Sequence, residues 1–327
     1  MSATVMTSLL TGAVFGTGLT LSGVANPQVI RDQFSLSDFH MLATFLTASA
    51  TSAVVFAGYN NRSSTHKIPV KSASRYGWLG GNLIGGAMLG LGISLTGACP
   101  GTVLVQATAG IGHSRLLACT SLLAGIAWVK INLLVSKPQP PTSRPENKSI
   151  MLITGWSANK VLIAYEISLL CILATILAVA PRSETLLHPV VGGLLIGAGQ
   201  LASVLLAKKP VGVSGAYGEV GSMFWDFVSG KTVKSIPESI LFAGGIMAGS
   251  WLTMTQVPAI REAMVSSQEQ SLLSLVTGGI LLVFGARIAG GCTSGHGISG
   301  MASMGVSSFI TIASMFGAGV LLRVFLP

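Results

Sequence analysis

The feature that most limits this chain is a series of nine apolar runs, each near the length a helix needs to cross a bilayer. A spanning helix takes about 20 mostly apolar residues. Such runs lie at 8–24, 39–58, 79–97, 115–135, 160–180, 188–206, 237–256, 271–289 and 305–325. Backbone polar groups in hydrocarbon must be satisfied inside the protein, so the runs are expected to be helices. Only 9% of the residues are charged, against about 25% in soluble domains. The 41 glycines also suit packed membrane helices. The expected fold class is an all-α polytopic membrane protein, with the lipid bilayer as a partner and the plasma membrane as its expected location. The first run has no Lys or Arg before Arg31 and is expected to be retained rather than cleaved as a signal peptide.

The net charge of +9 does not point to nucleic acid. The basic residues gather in short linkers, where they act as topology determinants. One linker, Asn60 to Tyr76, carries Arg62, Lys67, Lys71 and Arg75; another, Ser136 to Asn159, carries Lys137, Arg144 and Lys148 and four prolines. With Lys208 and Lys209 on the same side, the N-terminus is expected in the cytoplasm and the C-terminus outside.

The chain repeats itself. Gly85, Gly86, Gly92, Gly97 and Cys99 fall, at one constant offset, on Gly278, Gly279, Gly285, Gly290 and Cys292. A weaker match sets Gly12, Gly16, Gly18 and Ser22 on Gly193, Gly197, Gly199 and Ser203. Close helix packing accounts for the glycines alone, but not for a cysteine ending both copies. An odd number of crossings between the units inverts the second relative to the first. The expected organisation is a first transmembrane repeat at 1–140, a linker and connecting helix at 141–187, and an inverted second repeat at 188–327. Such inverted pseudo-symmetric halves place a substrate site near the midplane, on broken or re-entrant central helices.

The breaks carry the chemistry. Cys99 is followed by Pro100 and Gly101, and Cys292 by Thr293, Ser294 and a glycine-rich run through His296 to Gly300. Proline disfavours helix at the preceding residue, so the first helix is expected to break at Cys99. A new half-helix starting at Pro100 or after Ser294 offers free N–H groups to an anion. A cysteine at each break adds a soft sulfur and a weak S–H donor, which suits a sulfur-bearing anion. Arg287, in an otherwise apolar helix, is either functional or a buried structural partner of Glu166 or Asp226. His296 lies on the path or is held by loop carbonyls; with Cys292 alone it does not make a zinc site. No metal and no cofactor are expected. The dinucleotide-like Gly295-x-Gly297-x-x-Gly300 has no strand before it, and Ser229-Gly-Lys-Thr232 lacks the first P-loop glycine.

Gly290-Gly-Cys-Thr-Ser-Gly-His-Gly-Ile-Ser-Gly300, Leu95-Thr-Gly-Ala-Cys-Pro-Gly101 and Leu21-Ser-Gly-Val-Ala-Asn-Pro27 resemble motifs of the YeeE/YedE sulfur-transport family. The resemblance covers nearly the whole chain. It implies an inverted-repeat membrane protein, not an enzyme, that takes up thiosulfate or a related inorganic sulfur anion. It further implies that the ion passes along a central path by hydrogen bonds to cysteines at positions 99 and 292. Thiosulfate transporters of this family carry another cysteine in the first glycine-rich element; here Ser22 is the nearest candidate. The substrate path expected on this basis comprises Cys99, Cys292, Ser22, Arg287, His296, Thr293, Ser294, Pro100 and Gly101. A soluble sulfur-carrier protein is a further candidate partner. A second reading makes Cys292 the persulfide-bearing nucleophile of a membrane sulfurtransferase; a third is a structural or regulatory membrane protein.

Overall fold

In a computed structural model, described for residues 3–63, 66–74, 76–135, 148–180, 187–232, 235–265 and 270–325, the chain is helical and the described residues contain no strand. All nine apolar runs are helical there, but they do not all span. Seven helices are long and apolar enough to cross a membrane, or eight if a pair bent by 104° at Val257 counts as one. The run at 79–97 falls short, giving a shorter apolar helix at Gly80–Thr96. Lys137, Arg144, Arg75 and the linker prolines lie outside the described residues.

The first half begins with α1 (Ala3–Leu21), a short α2 (Pro27–Phe34) and α3 (His40–Arg62). Asn26 caps α2 by accepting from the Gln28 N–H at 2.9 Å, and Pro27 starts the helix where a missing N–H costs nothing. A π-helical stretch, Gly77–Ile84, then leads into α4 (Gly85–Thr96), followed by α5 (Thr102–Ala109) and α6 (Ser114–Val135). Two linker helices follow, α7 (Ile150–Thr154) and α8 (Ala158–Val179). The second half contains α9 (Pro189–Ala202), α10 (Gly215–Val228), α11 (Glu238–Gln256), α12 (Pro258–Val265) and α13 (Leu272–Ala289). It closes with a π-turn at Ser294–Ile298, α14 (Ser299–Ala302) and α15 (Val306–Phe325).

The helices matched by sequence pack against each other in opposite senses. Gly85 of α4 lies against Gly285 and Ala289 of α13, whereas Gly92, further along α4, lies against Gly278 and Leu282. Likewise Phe15 and Gly18 of α1, and Ser22 just beyond its end, meet Gly199, Leu195 and Gly192 of α9 in that order. A Cβ at Gly285 would sit 2.6 Å from the Leu89 nitrogen, so the backbones approach this closely only through glycine.

The remaining contacts obey the same exchange. α1 runs parallel to α11, with Gly12 on Phe242 and Gly16 on Ile246, and α9 runs parallel to α3, with Gly193 on Thr44 and Gly197 on Thr51. α4 runs parallel to α15, with Gly86 on Thr311 and Gly90 on Met315, and α13 runs parallel to α6, with Gly279 on Leu117 and Phe284 on Trp128. Swapping α1 with α9, α3 with α11, α4 with α13 and α6 with α15 therefore turns each interface into another. This is a pseudo-two-fold arrangement of oppositely directed elements.

The linker helix α8 packs on α3 from outside. Its Tyr165 hydroxyl lies 2.7 Å from Ser49 Oγ, while Ile163, Ile167 and Leu170 are more than half exposed, as expected of a lipid-facing surface.

Candidate functional site

Both central helices end on a glycine in the left-handed region, Gly97 (φ 62°) and Gly290 (φ 82°). These are matched positions in the repeat, and glycine takes this conformation without the Cβ penalty. The first break therefore begins at Gly97, ahead of the Cys99–Pro100 peptide where proline was expected to impose it. The chain then crosses an irregular turn carrying the cysteine before the next helical segment.

The turns hold the two sulfurs alike. The Thr102 N–H lies 3.4 Å from Cys99 Sγ and the Thr102 hydroxyl 3.5 Å from it. At the second break the Ser294 hydroxyl lies 3.2 Å from Cys292 Sγ, and the Gly295 N–H and Ser214 also face this sulfur. Thr102 and Gly295 occupy equivalent positions, three residues after each cysteine. The first N–H of α5 is thus directed at the protein's own sulfur rather than left free for an anion. A thiol that accepts hydrogen bonds through sulfur keeps its S–H proton available to donate elsewhere.

Cys292 is 1% exposed and lines neither of two nearby cavities, but its chain neighbours do: Thr293 and Ser294 line one and Gly291 the other. On one side a small, mainly apolar cavity of about 50 Å³ is lined by Cys99, Gly101 and Thr102 together with Thr293 and Ser294. It joins the two breaks. On the other side a cavity of about 660 Å³ is lined by Gly290, Gly291 and Gly295, with Arg287, Ser214 and Lys71.

The remaining expected residues are placed as follows. Arg287 lines the larger cavity, and its guanidinium lies over Gly218 of α10, where a Cβ would come within 2.8 Å of Cζ. Asp226 lies 3.7 Å from Lys231, and Glu166 sits on α8. Pro100 lies behind Cys99, its carbonyl accepting from the buried Tyr217 hydroxyl at 2.7 Å. His296 is fully buried, with Nδ1 3.0 Å from Ser308 Oγ and Nε2 3.2 Å from the Ala289 carbonyl. It braces the second turn and lines neither cavity. Ser22 is also fully buried, packs on Gly192, and donates to the Leu19 carbonyl at 3.0 Å. Leu19 and Val24, rather than Ser22, line the small cavity.

Thr102 and Ser214, which face the two sulfurs, were not anticipated, and neither were Tyr217 and Lys71. Tyr217 belongs to α10, a 14-residue helix too short to register as a span. Lys71 belongs to the first polar linker, whose basic residues were expected only to set topology. Instead its backbone is bound to the second half: its N–H donates to Ser303 Oγ at 3.2 Å, and its carbonyl accepts from Ser307 Oγ at 3.2 Å. Its side chain reaches over Gly291 and His296, within electrostatic range of Cys292 and Arg287. Burial holds the Lys71 ammonium below the usual lysine pKa.

Paired, oppositely directed helical units meeting at two broken segments in the protein interior define a membrane transport protein of the inverted-repeat kind. The chain belongs to the Sulphur transport family, whose description it matches over residues 22–322, and it is an integral membrane protein. It is 24% identical over 338 residues to the Thiosulfate transporter TsuA of Escherichia coli (strain K12), covering 96% of this chain and 92% of the relative. It is also 27% identical over 139 residues to a Probable transporter of Xylella fastidiosa (strain Temecula1), and 26% identical over the same length to one from strain 9a5c. Those two matches cover 42% of this chain but 93% of each relative, so the relatives are roughly half its length.

Proposed function

We propose that the protein carries thiosulfate, or an inorganic sulfur anion of the same chemistry, through the two cysteine breaks. The observation that supports this best is the small cavity between the breaks, lined by Cys99 on one side and by Thr293 and Ser294, next to Cys292, on the other. An anion in the small cavity meets Cys99 directly and the Thr293–Ser294 turn opposite. S–H and O–H donors replace part of its water, and sulfur is a soft partner for a sulfur-bearing ion. Hydrogen bonds to a charged partner are the stronger ones, so a weak S–H donor is more effective against an anion than against a neutral solute. The absence of a cysteine at position 22 leaves this path with two thiols.

The named substrate of the Escherichia coli relative supports thiosulfate in particular. The division at 1–140, 141–187 and 188–327 corresponds in this reading to two half-transporters joined by a connector. The basic linkers face the cytoplasm of a plasma-membrane protein, where a soluble sulfur-carrier protein could receive the cargo.

The test is flux of radiolabelled thiosulfate, sulfate and sulfite into proteoliposomes. The wild-type protein is expected to pass thiosulfate in preference to the other two, and Cys99→Ala and Cys292→Ala to lose that flux while inserting normally. Undiminished flux in both variants would remove the cysteines from the path. Absence of thiosulfate flux in the wild type would remove the substrate.

A further inference from the structure

We propose that Lys71 and Arg287 form a separate anion-binding station in the larger cavity, beyond Cys292, which holds a hydrated divalent sulfur oxyanion by its oxygens. The inference rests on the transport reading above and adds to it a binding step that does not use a thiol.

The cavity is too large for contact binding by sulfur alone. At about 660 Å³ it has room for roughly twenty waters at about 30 Å³ each. An ion there keeps most of its hydration, and long-range charge acts on it more strongly than weak S–H donors do. Of the described residues lining this cavity, Lys71 and Arg287 are the charged ones, and none is acidic. They come from different halves, and each is held. Lys71 is fixed through its backbone by Ser303 and Ser307, and Arg287 lies on the bare backbone of Gly218.

The cavity at the opposite end is not lined by such a pair. Beside the start of α13, a cavity of about 120 Å³ is lined by Gln106, His113, Ser114 and Gln270, with no Lys, Arg, Asp or Glu. The linings of the two cavities therefore differ in charge. The basic station lies at the end where α3 and α9 finish, with Arg62, Lys67, Lys208 and Lys209 nearby in sequence. By the excess of Lys and Arg in its loops this end is cytoplasmic. In the import direction, an anion leaving Cys292 passes into a field that attracts it, and the water in the cavity then screens and releases it.

The test is thiosulfate and sulfate binding to the purified, detergent-solubilised protein by isothermal titration calorimetry, with proteoliposome flux measured in parallel. Sulfate carries the charge and the oxygens but no terminal sulfur. Lys71→Gln is expected to weaken binding of both ions about tenfold or more, as loss of a charge-assisted contact does. Lys71→Arg is expected to restore it to within a few-fold, and binding should weaken with added salt. Equal affinities in the wild type and Lys71→Gln would overturn the station. So would a Lys71→Gln defect that accompanies a lowered melting temperature and is not rescued by arginine. Lys71-dependent sulfate binding without thiosulfate flux in the wild type would keep the station and refute the thiosulfate reading instead.

Discussion

Tyr217 donates a hydrogen bond of 2.7 Å to the carbonyl of Pro100, the residue that follows Cys99. The bond runs from a helix of the second half to the break of the first, and both partners lie in the protein interior. Tyr217→Phe keeps the ring but leaves a buried carbonyl without its partner. That costs about 1–3 kcal/mol, and it frees the turn that aims Cys99 at the small cavity. The expected result is a several-fold fall in thiosulfate flux with near-normal insertion, measured in proteoliposomes against the wild type.

Two glycine substitutions separate function from packing. At Gly218 a new Cβ would meet the Arg287 guanidinium, the far end of a flexible side chain that can move aside. Gly218→Ala is expected to insert and melt like the wild type while binding thiosulfate more weakly. At Gly90 the obstacle is the Met315 backbone in α15, which cannot yield. Gly90→Ala is expected to abolish accumulation of folded protein, read by fluorescence size-exclusion chromatography of a tagged chain.

The constant offset between Gly85–Cys99 and Gly278–Cys292 made the central interface legible before any coordinates, because glycines spaced for close approach mark where backbones meet. The paired cysteine breaks were legible for the same reason. Lys71 was not. A polar loop looks alike in sequence whether it stays in water or folds inward, and here the contacts that draw it in come from Ser303 and Ser307, far along the chain. Tyr217 was hidden because α10 is too short to register as a span. His296 and Ser22 could be named but not aimed: direction depends on tertiary partners such as Ser308 and Gly192.

His296 illustrates the difference. Both ring nitrogens are engaged, by Ser308 and the Ala289 carbonyl, and the ring is fully buried. His296→Ala removes two hydrogen bonds and leaves a void, a loss on the order of 3 kcal/mol. A marked fall in melting temperature is expected. Variant protein that remains folded at low temperature should bind sulfate with wild-type affinity, since the ring lines neither cavity.

Binding at the larger cavity should depend on pH with a definite sign. Burial lowers the Lys71 pKa most and Arg287 adds to it; Cys292, were it ionised, would oppose the shift. His296 is the other titratable side chain beside the ammonium. Lysine is cationic below its pKa, so anion affinity should be greatest at lower pH and fall as pH rises, before an exposed lysine would titrate. Lys71→Arg should flatten this fall, because guanidinium stays protonated throughout. Calorimetric titrations of both proteins from neutral pH upward check it.

The opposed packing of α4 on α13, and of α1 on α9, has a consequence for how such a chain becomes directional. A lone half would present glycine faces shaped for a neighbour inserted the other way up, and would need a second copy of itself in that orientation. Two identical copies have no preferred side: whatever one presents to the cytoplasm, the other presents outside. Joining them through α8 fixes which copy points inward. From then on the ends can diverge, and a lysine at position 71 with an arginine at 287 can be kept at one mouth alone. In this protein the tether is what makes polarity possible.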